Sequence, residues 1–252
     1  LLAQGKQFFI ITLFPENNLA DLRTATNDAV EIVAQECYKL GDIMSLLKTR
    51  TTTHVLWIGK VDKSHMFKHF KFDWLAIKLL GSLWRSKSDK DIMETLVAEL
   101  AHNNIQVLRQ DSVLGGLLVK PGVLTGALTP ALENDIRVGL QAAQAIAHAN
   151  IGQTVVVKDG MVLAVEAIEG TDACIARGLA LGTSGLVICK AARTDQNKTY
   201  DLPTLGPRSL ETFKSGDVLA IAWVSDCTLI ADKDLFIKQA NNLGITLVSV
   251  TP

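Results

Sequence analysis

Three carboxylates, Glu166, Glu169 and Asp172, fall within seven residues, with Gly170 and Thr171 between the last two. Carboxylate oxygens suit a hard divalent cation, and a hydroxyl beside them can donate to a phosphate oxygen. Gly170 lets the backbone bend sharply, so these groups can converge on one point. Glu166 is the hardest to read as a plain surface residue, because it stands inside an apolar run where an unpaired charge is costly. Glu169 and Asp172 have the alternative reading of exposed carboxylates, and Asp172 or Thr171 also suits the N-cap of a following helix.

Two more residues belong to the same chemistry. Lys190 ends another apolar run, where an ammonium either meets a phosphate as a point charge or simply reaches solvent. Asp201 precedes a loop stiffened by Pro203, Gly206 and Pro207. A carboxylate there is pre-organised for metal or water, although Asp before such a turn is also ordinary turn chemistry. No Walker loop, intact Gly-x-Gly-x-x-Gly or Gly-x-Ser-x-Gly elbow occurs. His65 and His69 lack the Glu of the metalloprotease pattern and read as surface residues.

The elements that must position these groups follow from the patterning. Val-rich runs on either side of Lys158-Asp159-Gly160 predict a tight β-hairpin whose second strand leads into the carboxylates. A short helix is expected over 173–180 and a strand over 185–190. Further strands are expected over 218–223, 228–230 and 245–250, with helices over 211–214 and 235–241. Upstream, apolar strands over 8–14 and 54–58 with a helix over 39–48 between them suggest parallel βαβ units. The turn-rich break around Gly115-Gly116, Lys120-Pro121-Gly122 and Pro130 marks a boundary. The expected fold is therefore α/β in two domains, a Rossmann-like parallel sheet over 1–130 and a mixed α/β catalytic domain over 131–252.

Composition narrows the function classes. The 252 residues carry a formal net charge of −1, which argues against a dedicated nucleic-acid binder. Cys37, Cys174, Cys189 and Cys227 form no Cys-x-x-Cys pair and read as reduced thiols of a cytoplasmic protein. No apolar run reaches the roughly 18 residues of a membrane span. The stretch from Lys60 to Lys90 is locally basic and contains an apolar helix with Trp74, Leu75, Leu79, Leu80, Leu83 and Trp84. That helix is a candidate for acyl chains or the inner-leaflet surface, against the plainer reading of a packed helix.

In combination these motifs resemble a known family. The order Gly152-Gln153, two Val-rich strands, Glu166-Ala167-Ile168-Glu169-Gly170-Thr171-Asp172, a strand ending in Lys190, and Asp201-Leu202-Pro203-Thr204-Leu205-Gly206 is similar to the LpxI-type UDP-2,3-diacylglucosamine diphosphatases of Gram-negative lipid A synthesis. The Trp57-Ile58-Gly59-Lys60-Val61 strand exit and the closing 240–248 segment also look like the family's. The resemblance implies hydrolysis of the substrate pyrophosphate, with Mg2+ or Mn2+, to UMP and 2,3-diacylglucosamine 1-phosphate (lipid X), in a cleft between two α/β domains. Asp201 matches the family's essential aspartate.

On that basis Asp201, Glu169 and Lys190 are the candidate catalytic residues and Asp201, Glu169 and Asp172 the candidate metal ligands. Gln153, Glu166, Gly170, Thr171 and Lys60 are the candidate substrate-binding residues. Inner-membrane surface contact and a homodimer are further expectations. The family's Gln-Asp-x-Arg ahead of the essential aspartate stands here as Gln196-Asn197-Lys198-Thr199, and Asn150-Ile151 precedes the Gly-Gln where an Asp is usual. The family's opening Gly-rich strand is also missing ahead of Leu1. Those departures keep open a nucleotide-sugar lipid binding module without turnover, beside a non-catalytic scaffold.

Overall fold

The computed structural model describes residues 5–13, 15–26, 29–59, 72–81, 89–193, 198–200 and 202–251. Its contacts divide the chain into two compact units, 1–107 and 108–252, a division that falls ahead of the turn-rich break. Lys60 and Asp201 lie outside the described residues, as do His65 and His69.

In the first unit, β1 (Ile10–Thr12) pairs in parallel with β2 (Ile32–Ala34), and β3 (His54–Val55) pairs in parallel with β4 (Gln106–Val107). Parallel pairing agrees with the expected βαβ units, but among the described residues the strands form two separate pairs and no continuous Rossmann-like sheet. The helices are α1 (Pro15–Thr26), α2 (Leu40–Thr49), α3 (Trp74–Gly81) and α4 (Asp89–His102). The first occupies a polar segment whose composition gave no helical signal. Met44, Leu47, Leu100 and Ile105 form this unit's core, with Phe9, Ile11, Val55, Trp57 and Leu75 against it. On α3, Ala76 is buried while Trp74 and Ile77 are exposed.

The second unit is built on six strands in the order β5-β12-β10-β8-β6-β7. These are β5 (Gly122–Thr125), β6 (Thr154–Lys158), β7 (Met161–Val165), β8 (Leu186–Lys190), β10 (Val218–Val224) and β12 (Thr246–Val250). β8, β10 and β12 run parallel, and β5, β6 and β7 each pair antiparallel to their neighbours. A smaller pair joins β9 (Thr204–Leu205) to β11 (Leu229–Ile230). The helices are α5 (Gln110–Leu114), α6 (Pro130–His148), α7 (Thr171–Gly182) and α8 (Lys233–Leu243). The helix expected over 211–214 is replaced by a 3-10 turn at Pro207–Leu210.

Strand alternation sorts the core into two faces. Val155, Val157, Val187, Cys189, Ala220 and Ala222 face α6 through Ile136, Leu140 and Ala143. Val156, Leu186, Ile188, Ile221, Trp223 and Leu247 face the other way, onto Cys174 and Ile175 of α7 and Phe236 and Ala240 of α8. Both faces of the central strands are thus covered, which explains why their sequences read as unbroken apolar runs.

The hairpin forms as its sequence predicts. Asp159 and Gly160 both take positive φ, 50° and 76°, the type I′ geometry that follows the twist of the flanking strands. At α7 the capping expectation is corrected. Gly170, with φ of 85°, is the N-cap, and Thr171 and Asp172 are the first two helical residues. A residue with a Cβ is strained at that φ, so the chain turns on glycine and leaves Thr171 free to bond elsewhere.

Candidate functional site

Parallel strands carry their loops and ligand sites at their carboxyl ends. Here β8 ends in Lys190, and because β6 is antiparallel, its first residue Thr154 lies opposite Lys190 at the same edge. The register continues from Lys190 to Trp223 and from Trp223 to Ser249. Thr154, Lys190, Trp223 and Ser249 therefore form one row across four strands, on the face covered by α7 and α8.

Lys190 is 7% exposed, and its ammonium donates to the hydroxyls of Thr154 and Thr171, each at 3.3 Å. Thr171 Oγ1 in turn donates to Glu166 Oε1 at 2.9 Å. The second oxygen, Glu166 Oε2, accepts the backbone N–H of Gln153 at 3.2 Å. One hydroxyl thus links a buried ammonium to a buried carboxylate, and the two opposite charges compensate where either alone would be costly.

Backbone shape makes this arrangement possible. Gly152 packs so closely on the strand exit that a Cβ there would sit 2.2 Å from the Glu166 carbonyl oxygen, which explains a glycine directly before Gln153. Glu166 itself lies just past β7 and is 8% exposed, so the suspicion raised by its apolar neighbours is met by specific partners.

Four sequence-predicted residues, Gln153 (through its backbone N–H), Glu166, Thr171 and Lys190, are brought together, with Gly170 as the turn that delivers Thr171. Glu169 is turned to a different partner, for Arg177 Nη2 lies 2.6 Å from its Oε1 and also donates to the Val165 carbonyl. Its own backbone amide and then Arg177 hold the Glu169 carboxyl below the usual carboxylate value. Asp172 is exposed in the first turn of α7, where its charge complements the helix dipole. Among the described residues no three His, Cys, Asp or Glu side chains come close enough to hold a metal ion.

Sequence reasoning missed Thr154, Trp223 and Ser225. Trp223 Nε1 and Ser225 Oγ are buried and have no hydrogen-bond partner among the described residues. Such groups at a strand end suit a water or a polar ligand. The register of β6 against β8 is what sets Thr154 opposite Lys190, and no local pattern around Thr154 fixes that pairing. Cys174, packed beneath the cluster, has its thiol pushed up to about 11 by burial, which keeps it protonated and unreactive.

The segment just before Asp201 is also held. Lys198 Nζ donates to the Asp226 carbonyl at 3.2 Å and lies 3.9 Å from Asp111 Oδ2. The lysine that stands at the family's acid-and-Arg segment is thus engaged by its own unit.

A family model described as the LpxI N-terminal domain matches residues 1–117, and one described as the LpxI C-terminal domain matches residues 120–248. The chain is 30% identical over 227 residues to "UDP-2,3-diacylglucosamine pyrophosphatase LpxI" of Caulobacter vibrioides, covering 85% of this chain and 80% of the relative. Together the two domain matches span nearly the whole sequence, and the chain belongs to the LpxI family.

Proposed function

We propose that this chain is an enzyme that hydrolyses the pyrophosphate of UDP-2,3-diacylglucosamine to UMP and 2,3-diacylglucosamine 1-phosphate (lipid X), a step of lipid A synthesis. The observation that carries the reading is the buried Lys190 ammonium at the end of β8, tied through Thr171 to Glu166, in a chain of this family. Water adds its oxygen to one phosphorus, the bond to the bridging oxygen breaks, and the other phosphate leaves with that oxygen. Both protons of the water are released. The barrier in such a transfer is largely electrostatic, so a fixed cation facing the phosphoryl oxygens lowers it.

Each residue then has a role. Lys190 offsets charge on the departing phosphate, and Thr171 re-aims its hydroxyl from Glu166 to a phosphate oxygen. Glu166 keeps Lys190 charged and oriented, Gln153 and Gly170 shape the wall of the site, and Lys60 adds a further positive charge for the substrate. Asp201 orients or deprotonates the water.

A divalent cation, Mg2+ or Mn2+, is the other part of the proposal, with Asp201 as its principal ligand and Glu169 and Asp172 beside it. The described residues do not by themselves supply a ligand set. Glu169 joins one only by exchanging Arg177 for the ion. The exposed Trp74 and Ile77 on α3 favour contact with the inner-leaflet surface, which flotation with anionic vesicles measures.

The test uses the whole chain, UDP-2,3-diacylglucosamine and detection of UMP, with Mg2+, with Mn2+ and with chelator. UMP release that disappears on chelation and in Asp201→Ala supports both parts. Release that persists under chelation removes the cation and leaves the hydrolase. The second reading, binding without turnover, is favoured by Asn197 and Thr199 standing where the family has an acid and an Arg. Tight substrate binding with no UMP from the unaltered chain establishes it.

A further inference from the structure

Two large apolar side chains stand in the open at the end of the β6–β7 hairpin that carries the site. Ile168 is 97% exposed and Ile151 is 51% exposed. Ile168 falls between Glu166 and Thr171 in the chain, in the turn that joins them. Ile151 comes directly before Gly152, which packs against the Glu166 carbonyl. Both therefore stand at the lip of the chain of contacts from Lys190 through Thr171 to Glu166.

Folding does not account for Ile168. Its turn is closed by Gly170 N–H on the Ala167 carbonyl at 3.3 Å, and Ile168 takes the first corner, a place that Pro, Asp, Asn, Ser or Gly fills for reasons a β-branched side chain lacks. The turn is nevertheless fixed, because Arg177 ties the Val165 carbonyl ahead of it to Glu169 within it, at 2.7 and 2.6 Å. Ile151 is fixed as well. Asn150 takes a φ of 55° and donates to the Ala147 carbonyl at 3.0 Å, while Ile151 N–H donates to the Ile146 carbonyl at 2.9 Å, a Schellman end to α6. Such an end seats part of its apolar residue on the helix, so Ile168 is the larger open surface.

We propose that Ile168, together with Ile151, is a specificity-determining residue of the site, an apolar lip that takes a fatty acyl chain of the substrate. This deepens the hydrolase reading given above and rests on it. In a 2,3-diacylated glucosamine the 2-acyl chain starts on the carbon next to the one that bears the pyrophosphate. Phosphates held at Lys190 and Thr171 thus bring the start of that chain within one sugar ring of the site. Three residues of backbone keep Ile168 within about 11 Å of Thr171, inside the reach of a long acyl chain. A lone exposed apolar residue needs no function, but two fixed at the lip of a site whose substrate carries apolar chains have one at hand. Covering most of one Ile side chain is worth roughly a factor of ten in affinity.

Ile168→Ser, Ile168→Leu, Ile151→Ser and Met161→Ser are made in the whole chain and assayed with UDP-2,3-diacylglucosamine. An analogue with acetyl groups in place of both fatty acyl chains is measured through its inhibition constant in competition. Met161, 63% exposed at the turn end of the same hairpin, is the control. Ile168→Ser is expected to raise KM for the long-chain substrate about tenfold, with kcat within about twofold and the inhibition constant of the acetyl analogue unchanged. Ile168→Leu stays within about twofold of the unaltered chain, Ile151→Ser raises KM about threefold, and Met161→Ser changes nothing. An unchanged long-chain KM in Ile168→Ser, an equal shift for the acetyl analogue, or an equal shift in Met161→Ser overturns the lip. Weaker flotation of Ile168→Ser with anionic vesicles beside an unchanged KM overturns it too, and makes the residue a membrane contact. Absence of UMP from the unaltered chain removes the hydrolase reading instead, and the dissociation constants of the two UDP-sugars then decide the lip by the same differences.

Discussion

At the turn of the β6–β7 hairpin, Asp135 of α6 accepts the N–H groups of Asp159 and Gly160 at 3.1 and 2.6 Å. At the open end of the same hairpin, Glu166 accepts the Gln153 N–H and the Thr171 hydroxyl. Both carboxylates are buried, at 7% and 8% exposure, and each receives two hydrogen bonds. Burial and satisfaction therefore do not distinguish a site from a brace. The difference lies in what the partners do next. The donors at Asp135 are backbone amides of a turn, and they end there. One donor at Glu166 is a hydroxyl that also accepts from a buried ammonium at the carboxyl end of β8, in the parallel part of a mixed sheet. A ligand that takes over the hydroxyl or the ammonium has a carboxylate behind it, so only the open end can exchange partners without breaking the fold.

The largest expected effect breaks that comparison at its centre. Lys190→Met keeps most of the side-chain volume and removes the charge, and kcat/KM for UDP-2,3-diacylglucosamine is expected to fall by about 100- to 1,000-fold. Circular dichroism sets the folded fraction to which the rate is referred, since the change also leaves buried Glu166 without that ammonium. A loss smaller than about tenfold would mean that the ammonium merely balances Glu166.

The two carboxylates can then be set against each other. Asp135→Ala leaves two amides of a tight turn without an acceptor and is expected to cost about 3 kcal/mol in denaturant unfolding, with unchanged kcat for the folded fraction. Glu166→Gln keeps an acceptor oxygen but gives up the carboxylate that offsets the buried ammonium, and is expected to cost about 3 kcal/mol as well. It is expected to lower kcat about tenfold, because the chain from Lys190 through Thr171 no longer ends on a carboxylate. If Asp135→Ala reduced kcat as far as Glu166→Gln does, the two ends of the hairpin would be one functional unit.

Much of this was legible in the residues, and the limits have physical causes. The hairpin was readable because Asp-Gly between β-branched runs has few other solutions. The sheet strands were readable because burial on both faces leaves unbroken apolar runs, as in β8 and β10. Glu166 and Lys190 stood out as charges against that background. The helix α1 was hidden because Asn, Asp and Thr, all weak helix formers, take up much of its segment. The bond from Leu202 N–H to Gln110 Oε1 gave no local sign at all, since the two residues are 92 apart and only the tertiary fold joins them. The engagement of Glu169 by Arg177 was equally invisible, because Glu169 stands in the turn ahead of α7, where spacing does not fix which neighbour captures a side chain.

That last contact gives the smallest expected effect and sharpens the contrast from outside the cluster. Glu169 and Arg177 form an exposed ion pair, with side-chain exposures of 31% and 49%, and such pairs contribute little because solvent and salt screen them. The folded Glu169 carboxyl titrates below its ordinary value of 4.5. Its contribution is therefore present above that value and is lost as pH falls through the lower, folded pKa. Arg177→Gln is expected to leave the pH 7 melting temperature unchanged within error, and to shrink without erasing the small acid-side difference between Glu169 and a Gln at the same position, because the backbone amide of Glu169 is the larger cause. A clear loss of melting temperature at neutral pH would show that the pair anchors the start of α7. In that case Glu169 would stand with Asp135 as a brace, and a cation site that has to take it from Arg177 would lose its strongest candidate among the described residues.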